Sequence, residues 1–297
     1  MLHVETMRTR LAVACFGPLL LFLLGSCSRA KPIVVGSKDS VEQRLLAEIV
    51  SQHLEHRLSV PIERRFGLGD TRTVHQSLLN GEISMYPEYS GLVVSELLKE
   101  TPNPDAAITF ERARLEMKRV ELVEYFAPLG FNANTVLAVR AAGNESISSA
   151  TDASSSPTRW KIGVSYEFQN RNAGLPNLNT YRFEMGAPLK SMDYDDLFAA
   201  LEGDMVSMVT ATASDPHLLS PQWKPLTDDQ HAFSPAEAAL LVRDDALAAE
   251  PSLRGALNQL SGKINLETMR KLNGQVAIEE RKIPDVAAEF LKSAGLN

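Results

Sequence analysis

The sequence predicts an α/β protein of two lobes, and two observations support this. Short apolar runs alternate with longer amphipathic stretches, which is the pattern of strands joined by crossover helices in a parallel sheet. The chain of 297 residues is also well above the ~150 typical of one domain, which favours two lobes.

The N-terminus has the features of a targeting segment. Residues 11–24 are apolar and follow Arg8 and Arg10. This run is shorter than the ~20 residues that a transmembrane helix needs, and it fits the core of a signal peptide. It ends in Leu24-Gly25-Ser26-Cys27, which resembles the lipobox of bacterial lipoproteins. The resemblance implies a signal peptide of residues 1–26 and a lipid on Cys27. Cleavage at a small-residue site without lipidation is the alternative.

Charge and cysteine content exclude several classes of function. The formal net charge is −7, which makes nucleic acid an improbable partner. Cys15 and Cys27 are the only cysteines, so the chain after Cys27 has no disulfide, no thiolate metal site and no cysteine nucleophile. No later segment has the uninterrupted apolar length to span a membrane.

The first part of the chain predicts strand, helix, strand, helix, strand. An apolar run at 33–35 is followed by a capping box in which Ser40 and Gln43 satisfy the first helical amides. A strand at 60–66 leads through a glycine turn to a second helix, with Asp70 or Thr71 as its cap. That helix ends at Asn80-Gly81, and a short strand at 83–85 follows. Residues 86–91 are predicted to form a loop.

The middle of the chain repeats this alternation. A polar helix around 105–125 precedes a strand at 136–139, and the Ser/Thr/Ala-rich stretch 146–157 predicts a mobile surface loop. A strand at 161–164, a helix at 193–202 and strands at 205–209 and 238–242 follow. The C-terminal part is helical around 253–260, 266–272 and 285–294.

Two local features indicate a ligand site. Lys38 lies at the N-terminus of the first helix, where unpaired amides and the helix dipole favour an anion. Tyr86 and Tyr89 belong to the loop predicted at 86–91, and aromatic rings on such a loop are typical of small-molecule pockets. A solvated lysine and two tyrosines that merely cover the core are the alternatives.

Signals for enzymes and for metal or cofactor binding are poor. His53 and His56 could share one helix face as metal ligands, but their polar neighbours favour a solvated face. Asp228 and Asp229 are adjacent in a turn-rich stretch and are interpreted as solvated. Gly67-x-Gly69 lacks the third glycine of a dinucleotide fingerprint, and no hydrolase, metalloprotease or phosphate-loop motif is present. We therefore expect no catalysis, no cofactor and no metal.

An ordered set of motifs resembles one protein family. The motifs are Gly36-Ser37-Lys38, Glu42-Gln43, Leu68-Gly69-Asp70-Thr71 with His75, Leu79-Asn80-Gly81-Glu82-Ile83, Tyr86-Pro87-Glu88-Tyr89-Ser90-Gly91, Phe131-Asn132, Ala138-Val139-Arg140, Glu167-Phe168 with Arg171, Asp215, Leu226 with Asp228-Asp229, Leu272-Asn273-Gly274, and Val286-Ala287 with Phe290-Leu291. They resemble the substrate-binding proteins of ABC importers for osmoprotectants such as glycine betaine, choline and carnitine. The similarity covers residues 31–297.

The resemblance implies a two-lobed type II periplasmic-binding-protein fold, each lobe a mostly parallel sheet flanked by helices. Lobe one would comprise residues 31–134 and 236–297, and lobe two residues 135–235. A small solute would bind in the cleft between them, and hinge closure would present it to the permease and ATPase subunits. In the family, tyrosines cage a quaternary ammonium by cation–π attraction, while a lysine and an arginine hold a carboxylate.

When the family's binding residues are assigned to this sequence by motif, some positions match and others differ. Tyr89 matches a cage tyrosine, Lys38 and Arg171 match the carboxylate-binding cations, and Asp215 is a further ligand-binding position. Three other positions, Thr135, Thr212 and Ala236, stand where the family usually has tyrosine. The three missing rings, each worth on the order of 2 kcal/mol when desolvated, predict weak binding of a trimethylammonium group unless Tyr166, Phe168 or Phe198 replaces them. The hypothesis is a carboxylate-bearing solute other than a standard betaine.

Two other functions stay open at this point. The chain could be a ligand sensor that transports nothing, or an enzyme on the same fold, since fold alone does not determine function. The leading interpretation is a monomeric lipoprotein of the periplasm or cell exterior, attached to the membrane by its lipid only.

Overall fold

The computed structural model describes Leu2, residues 31–171 and residues 174–297. The predicted signal peptide, apart from Leu2, and the lipid-attachment position Cys27 lie outside these residues. In chain order the elements are β1 (Ile33–Gly36), α1 (Val41–Arg57), β2 (Ile62–Arg65), α2 (Thr71–Leu79), β3 (Met85–Tyr89), α3 (Ser90–Leu92), α4 (Ala106–Glu121), β4 (Val123–Tyr125), β5 (Thr135–Arg140), α5 (Ala150–Ser155), β6 (Ile162–Ser165), α6 (Tyr166–Asn170), α7 (Gly174–Leu178), β7 (Lys190–Met192), α8 (Leu197–Glu202), β8 (Met208–Thr212), β9 (Trp223–Leu226), β10 (Ala238–Arg243), α9 (Asp244–Ala249), α10 (Ser252–Asn258), α11 (Leu266–Ala277) and α12 (Ile283–Ser293).

The strands form two five-stranded sheets, in the orders β2-β1-β3-β10-β4 and β7-β6-β8-β5-β9. In each sheet the first three strands are parallel, whereas β10 and β5 run antiparallel to both of their neighbours. The sheets are therefore mixed rather than mostly parallel. β5 and β10 are the strands at which the chain enters a sheet after leaving the other one. No crossover helix precedes them, and a parallel neighbour needs such a crossover, so both strands run antiparallel.

The chain passes between the sheets twice, through residues 126–134 and 227–237, and these crossing segments are bonded to each other. The Asn132 carboxamide oxygen accepts hydrogen bonds from the amides of Ala236 (2.8 Å) and Asn134 (3.1 Å). The Ala133 amide donates to the Ala236 carbonyl at 2.9 Å. Short paired crossings of this kind can act as a hinge. The exact lobe boundaries remain a prediction.

Each sheet is buried on both faces. On the first sheet, α1 and the C-terminal helices pack on one face, and α2 and α4 pack on the other; Leu45, Leu257 and Leu291 belong to the first cluster and Val74 and Met117 to the second. None of the helices in the described part of the chain combines the length and the apolar character needed to cross a membrane.

The local rules for helix ends hold. The Ser40 hydroxyl accepts from the Gln43 amide at the start of α1, and the Asp70 carboxylate accepts from the Thr73 amide at the start of α2. Gly81 follows α2 with a φ of 75°, the left-handed conformation that glycine adopts without strain.

Two segments that the sequence predicts as loops contain regular secondary structure. Residues 85–89 form β3, not a loop, although the stretch contains Pro87. The reason is that β1 pairs with β3 only at Met85, so beyond that residue β10 is the single neighbour and the missing amide of proline is tolerated. The supposed mobile loop at 146–157 contains α5, which begins with a capping box between Ser149 and Asp152.

His53 is not on a solvated face. It is fully buried, and its ring nitrogens lie 2.8 Å from the Leu296 carbonyl and 2.9 Å from the Ala256 carbonyl, so it ties α1 to the C-terminal segment. Metal ligation by either ring nitrogen would require breaking the contact that this nitrogen makes. Across residues 31–171 and 174–297, no group of three or more His, Cys, Asp or Glu side chains is arranged to hold a metal ion.

Candidate functional site

A cavity of about 90 Å³ lies between the two sheets. This is enough for several waters or a small solute, since about 10–15 Å³ accommodates one water. It is lined by Tyr89, Thr135, Arg171, Thr212 and Ala236, which come from separate parts of the sequence. These five were all predicted site residues. Larger cavities exist, and some of them adjoin this one, but this cavity is lined by the ends of strands from both sheets.

The close approach of the crossing segment to α3 closes one side of the cavity. Gly91 makes this approach possible, because a Cβ there would overlap the Pro235 carbonyl oxygen. Leu92, Ser234 and Pro235 also line this side. Close packing against the crossing segment therefore explains why the Tyr-Pro-Glu-Tyr-Ser-Gly motif ends in glycine.

The two tyrosines of that motif have different environments. Tyr86 is completely buried, and its hydroxyl lies 3.0 Å from Nδ1 of His75, so it belongs to the core as the alternative interpretation held. Tyr89 lines the cavity and donates its hydroxyl hydrogen to Glu42. Burial and the Glu42 charge raise the pKa of the Tyr89 phenol well above its ordinary value, so the ring stays neutral.

Glu42 connects the cavity wall to the second sheet. Besides the Tyr89 hydroxyl, it accepts a hydrogen bond from the Asn273 amide at 2.7 Å, and the same amide group donates to the Ser214 carbonyl at 3.1 Å. Ser214 lies two residues after Thr212, the last residue of β8. The Tyr89 ring is therefore held by a network that reaches from α1 through α11 to the opposite wall.

Lys38 lies behind Tyr89 and is not one of the residues lining the cavity. Its Nζ lies 2.5 Å from Oε1 of Glu88, 3.3 Å from Oγ1 of Thr71 and 4.8 Å from the centre of the Tyr89 ring. Glu88 is wholly buried. The predicted carboxylate-binding lysine is thus already paired with an internal carboxylate, and it makes a cation–π contact with the predicted cage tyrosine.

Arg171 lines the cavity and follows α6 directly. Its guanidinium donates to Glu167, one helical turn earlier. Nearby protein partly desolvates the Glu167 carboxyl, which opposes its ionisation, but the charge and hydrogen bond of Arg171 outweigh this and lower the pKa of that carboxyl, so the pair is ionic. The Glu167 side chain is 73 % exposed and the Arg171 side chain 34 % exposed. This pair is therefore in contact with solvent.

Phe168 and Phe233 supply the cavity's other rings, packed edge to face with centres 6.2 Å apart. Asp228 fixes the position of Phe233 because its carboxylate accepts the Phe233 amide at 2.8 Å and the Tyr181 hydroxyl. Asp228 is thus a structural residue and not merely solvated. Of the suggested replacement rings, Phe168 lines the cavity, whereas Phe198 is buried against His217 and Trp223.

Two of the three positions that lack the family's tyrosines lie side by side. Thr135 on β5 pairs directly with Thr212 on β8. The Tyr194 hydroxyl lies 3.1 Å from the Thr212 hydroxyl and donates to Asp215 at 2.6 Å. Asp215 does not line the cavity; it also accepts the His217 amide and holds Tyr194 beside Thr212. Its predicted role in ligand binding has no direct contact to support it.

The sequence-based prediction missed four polar residues of the wall: Ser95, Glu96, Asn177 and Ser234. Ser95 and Glu96 lie in a π-helical turn, Val93–Leu97, that continues α3. Such a turn has no periodicity that a sequence would reveal, although single π turns are frequent at functional sites.

Comparison with protein families gives one match over most of the chain. A model described as the substrate binding domain of the ABC-type glycine betaine transport system matches residues 31–293.

Among characterised relatives, the ergothioneine transport permease/ergothioneine binding protein EgtU of Helicobacter pylori (strain G27) is 30% identical over 271 residues. The match covers 90% of this chain and 48% of that protein, so the chain spans about half of its length. The glycine betaine-binding protein YehZ of Escherichia coli (strain K12) is 28% identical over 281 residues, covering 90% of this chain and 92% of YehZ.

Solved structures show the same fold. A glycine betaine/carnitine/choline ABC transporter structure aligns with a TM-score of 0.81 at 21% identity, covering 89% of this chain and 99% of that one. Apo YehZ from Escherichia coli aligns with a TM-score of 0.73 at 26% identity, covering 90% and 100%. The predicted two-lobed periplasmic-binding-protein fold is confirmed.

Proposed function

Because the chain belongs to the family of substrate-binding domains of ABC-type glycine betaine transport systems, we propose that it captures a small carboxylate-bearing solute between its two sheets. As a family member it is a substrate-binding protein of an ABC importer of the glycine betaine and carnitine class. The observation that carries the proposal is the convergence of Tyr89, Thr135, Arg171, Thr212 and Ala236 on one cavity.

The proposed ligand differs from a standard betaine in its cationic part. Thr135, Thr212 and Ala236 offer no ring to a trimethylammonium group, and Tyr89 already contacts the Lys38 ammonium. A desolvated cation–π contact is worth about 2 kcal/mol, so each missing ring lowers the affinity for a quaternary ammonium considerably. Phe168 and Phe233 restore part of that surface and provide an apolar wall.

Arg171 is the proposed anchor for the ligand carboxylate. A guanidinium binds a carboxylate with two parallel hydrogen bonds, and Arg171 presents its guanidinium at the cavity with Glu167 as its only charged partner among the described residues. A ligand carboxylate could replace the exposed Glu167 carboxylate as the partner of Arg171, and the positive charge of the guanidinium would stay paired.

The remaining assignments follow from the family and the N-terminal sequence. We infer that the protein is a monomeric lipoprotein anchored through Cys27, faces the periplasm or cell exterior, catalyses no reaction, and delivers its solute to a permease powered by an ATPase. The paired crossing segments, joined through Asn132 and Ala236, are the proposed hinge for closure around the solute.

A thermal-shift screen followed by calorimetry tests the proposal. The panel contains amino acids, betaines and small carboxylates, and a ligand that binds only the folded protein raises its melting temperature. We expect a small zwitterion to raise the melting temperature of the wild type and not that of Arg171→Met. Failure of every compound would contradict solute capture in this cavity. Micromolar binding of glycine betaine, choline or carnitine would contradict the altered specificity alone.

A further inference from the structure

Glu96 is a carboxylate in the cavity wall that the proposed function does not yet use. It lines both the cavity and an adjoining polar crevice of about 340 Å³, which also contains Asp70, Arg72 and Arg171. The Glu96 side chain is 15 % exposed. One of its oxygens, Oε2, accepts from Arg72 at 2.7 Å and lies 3.8 Å from Lys99. Its other oxygen, Oε1, has no hydrogen-bond partner within the part of the chain that the structure describes.

Charge around the cavity does not favour an anion as a whole. Lys38 is paired with the buried Glu88, Arg171 with the exposed Glu167, and Glu96 with Arg72 through one of its two oxygens. Glu42, in contact with the Tyr89 hydroxyl and the Asn273 amide, has no cationic partner among the described residues. The wall therefore offers one guanidinium and one carboxylate, Arg171 and Glu96, and this combination complements a zwitterion.

The uncharged part of the wall is rich in unused hydrogen-bonding groups. The side chains of Ser95, Thr135, Asn177 and Ser234 line the cavity and make no side-chain hydrogen bond to another described residue. A trimethylammonium group has no N–H to donate, so these acceptors and Oε1 of Glu96 would receive no hydrogen bond from it. A site built to hydrogen-bond a ligand group discriminates strongly against an analogue that lacks it, because its buried polar atoms lose water without gaining a partner.

We propose that the cationic end of the ligand carries N–H groups, and that Glu96 accepts hydrogen bonds from them while Arg171 holds the carboxylate. The ligand class is thus a small zwitterion with a primary or secondary ammonium, or an N–H-bearing guanidino or imidazole group. This inference rests on the proposed function, since it concerns the same cavity. In this proposal, Glu96 and the hydroxyl and amide groups of the wall select the cationic end of the ligand, and aromatic rings do not.

N-methylation series test this assignment with the full-length chain or its mature form. Glycine, sarcosine, N,N-dimethylglycine and glycine betaine form one series, and 4-aminobutyrate with its N-trimethyl derivative forms a second, longer one. Calorimetry should give an affinity that falls with each methyl group, by at least about tenfold from primary ammonium to trimethylammonium in the series that fits the cavity. An affinity that rises towards the trimethyl compound would overturn the inference and the altered specificity, and would leave solute capture in this cavity standing. Arginine and histidine are measured beside the two series as the guanidino and imidazole ligands. If none of these compounds binds, the inference is contradicted, and solute capture in this cavity is contradicted only if the wider thermal-shift panel also fails.

Glu96→Gln provides the residue-level test, with Glu111→Gln as the matched control. Glu111 is a carboxylate on α4 that pairs with Arg114, and it does not line the cavity. Glu96→Gln should weaken binding of the primary ammonium at least about tenfold and flatten the methylation series, because an amide oxygen is a neutral acceptor. The control should leave the series unchanged. A Glu96→Gln protein that keeps the full preference for primary ammonium would overturn the role of Glu96, and the wild-type series decides the ligand class even if that variant does not fold.

Discussion

Two of the cation–carboxylate pairs near the cavity, Lys38–Glu88 and Arg171–Glu167, occupy opposite environments. The Lys38 and Glu88 side chains are 12 % and 0 % exposed, whereas those of Arg171 and Glu167 are 34 % and 73 % exposed. Motif similarity treats Lys38 and Arg171 as equal partners in binding a carboxylate. The structure makes them unequal, because only the Arg171 pair can dissociate without leaving a buried charge unpaired.

The difference separates a structural role from a binding role. Lys38 contacts Glu88, the Thr71 hydroxyl and the Tyr89 ring, all on the first sheet and its flanking helices. It therefore organises the wall that carries Tyr89. Arg171 lies between a short helix and the cavity, and its partner Glu167 is stabilised by water when released. We expect the free energy of ligand binding to depend mainly on Arg171.

The largest expected effect is on stability. Lys38→Met leaves Glu88 ionised and buried without a counter charge, and breaking a buried pair from one side costs about 3 kcal/mol of unfolding free energy. Arg171→Met, the matched change at the exposed pair, should cost less than about 1 kcal/mol because water solvates Glu167. Urea unfolding of both variants measures the difference. Equal losses would remove the distinction between the pairs.

The second effect is on ligand binding, in the opposite order. Arg171→Met should lower the affinity for a carboxylate-bearing ligand by about 2 kcal/mol, since it removes a charge-assisted hydrogen bond at the site. Arg171→Lys should recover part of that loss, because it keeps the charge without the planar fork. Calorimetry with the tightest ligand of the screen measures both. Unchanged binding in Arg171→Met would assign the carboxylate to another group.

A smaller effect should follow from restoring one ring. Thr135→Tyr places a ring at a position where the family usually has tyrosine, and one cation–π contact should raise the affinity for glycine betaine by about 1.4 kcal/mol, or tenfold. Butyrate, which has no ammonium group, serves as the control ligand and should show no gain. A gain for both ligands would indicate added apolar contact instead of cation recognition.

The smallest effect concerns the α2 cap that supports the buried pair. Asp70→Ala removes the acceptor of the Thr73 amide and should cost about 1 kcal/mol at pH 7. That backbone hydrogen bond lowers the pKa of Asp70, so its contribution is complete above the unfolded value of about 3.9 and is lost as the pH falls through the lower folded value. Unfolding curves at several pH values should show the two proteins converging in strong acid. A difference that is constant with pH would contradict the cap.

Helix ends were the part of the fold that local sequence predicted well. Ser40, Asp70 and Gly81 act within a few residues of their own position, so the chemistry of one side chain or one φ angle settles the outcome. The strand at Met85–Tyr89 was missed because its regularity comes from pairing with β10, far along the chain, and Pro87 argued locally for a loop. His53 was misjudged for the same reason, since its partners belong to the C-terminal segment.

The sequence predicted which positions line the site, but not the contacts that their side chains make. Motif similarity indicated Thr135, Thr212 and Ala236, and all three line the cavity with Tyr89 and Arg171. It gave no information on Glu88 as the partner of Lys38, because that contact joins residues 50 apart in sequence. Glu96 was missed because a π-helical turn rotates its residues away from the 3.6-residue pattern on which sequence analysis relies.

A crystal structure of the protein with the tightest ligand of the screen tests the central claim most directly. The ligand should lie between the sheets, with its carboxylate on the Arg171 guanidinium and its body against the Tyr89 ring and Thr212. Lys38 should still be bonded to Glu88. A ligand bound elsewhere, for example in the cavity beside Arg182 and Phe183, or one whose carboxylate displaces Glu88 from Lys38, would contradict the claim.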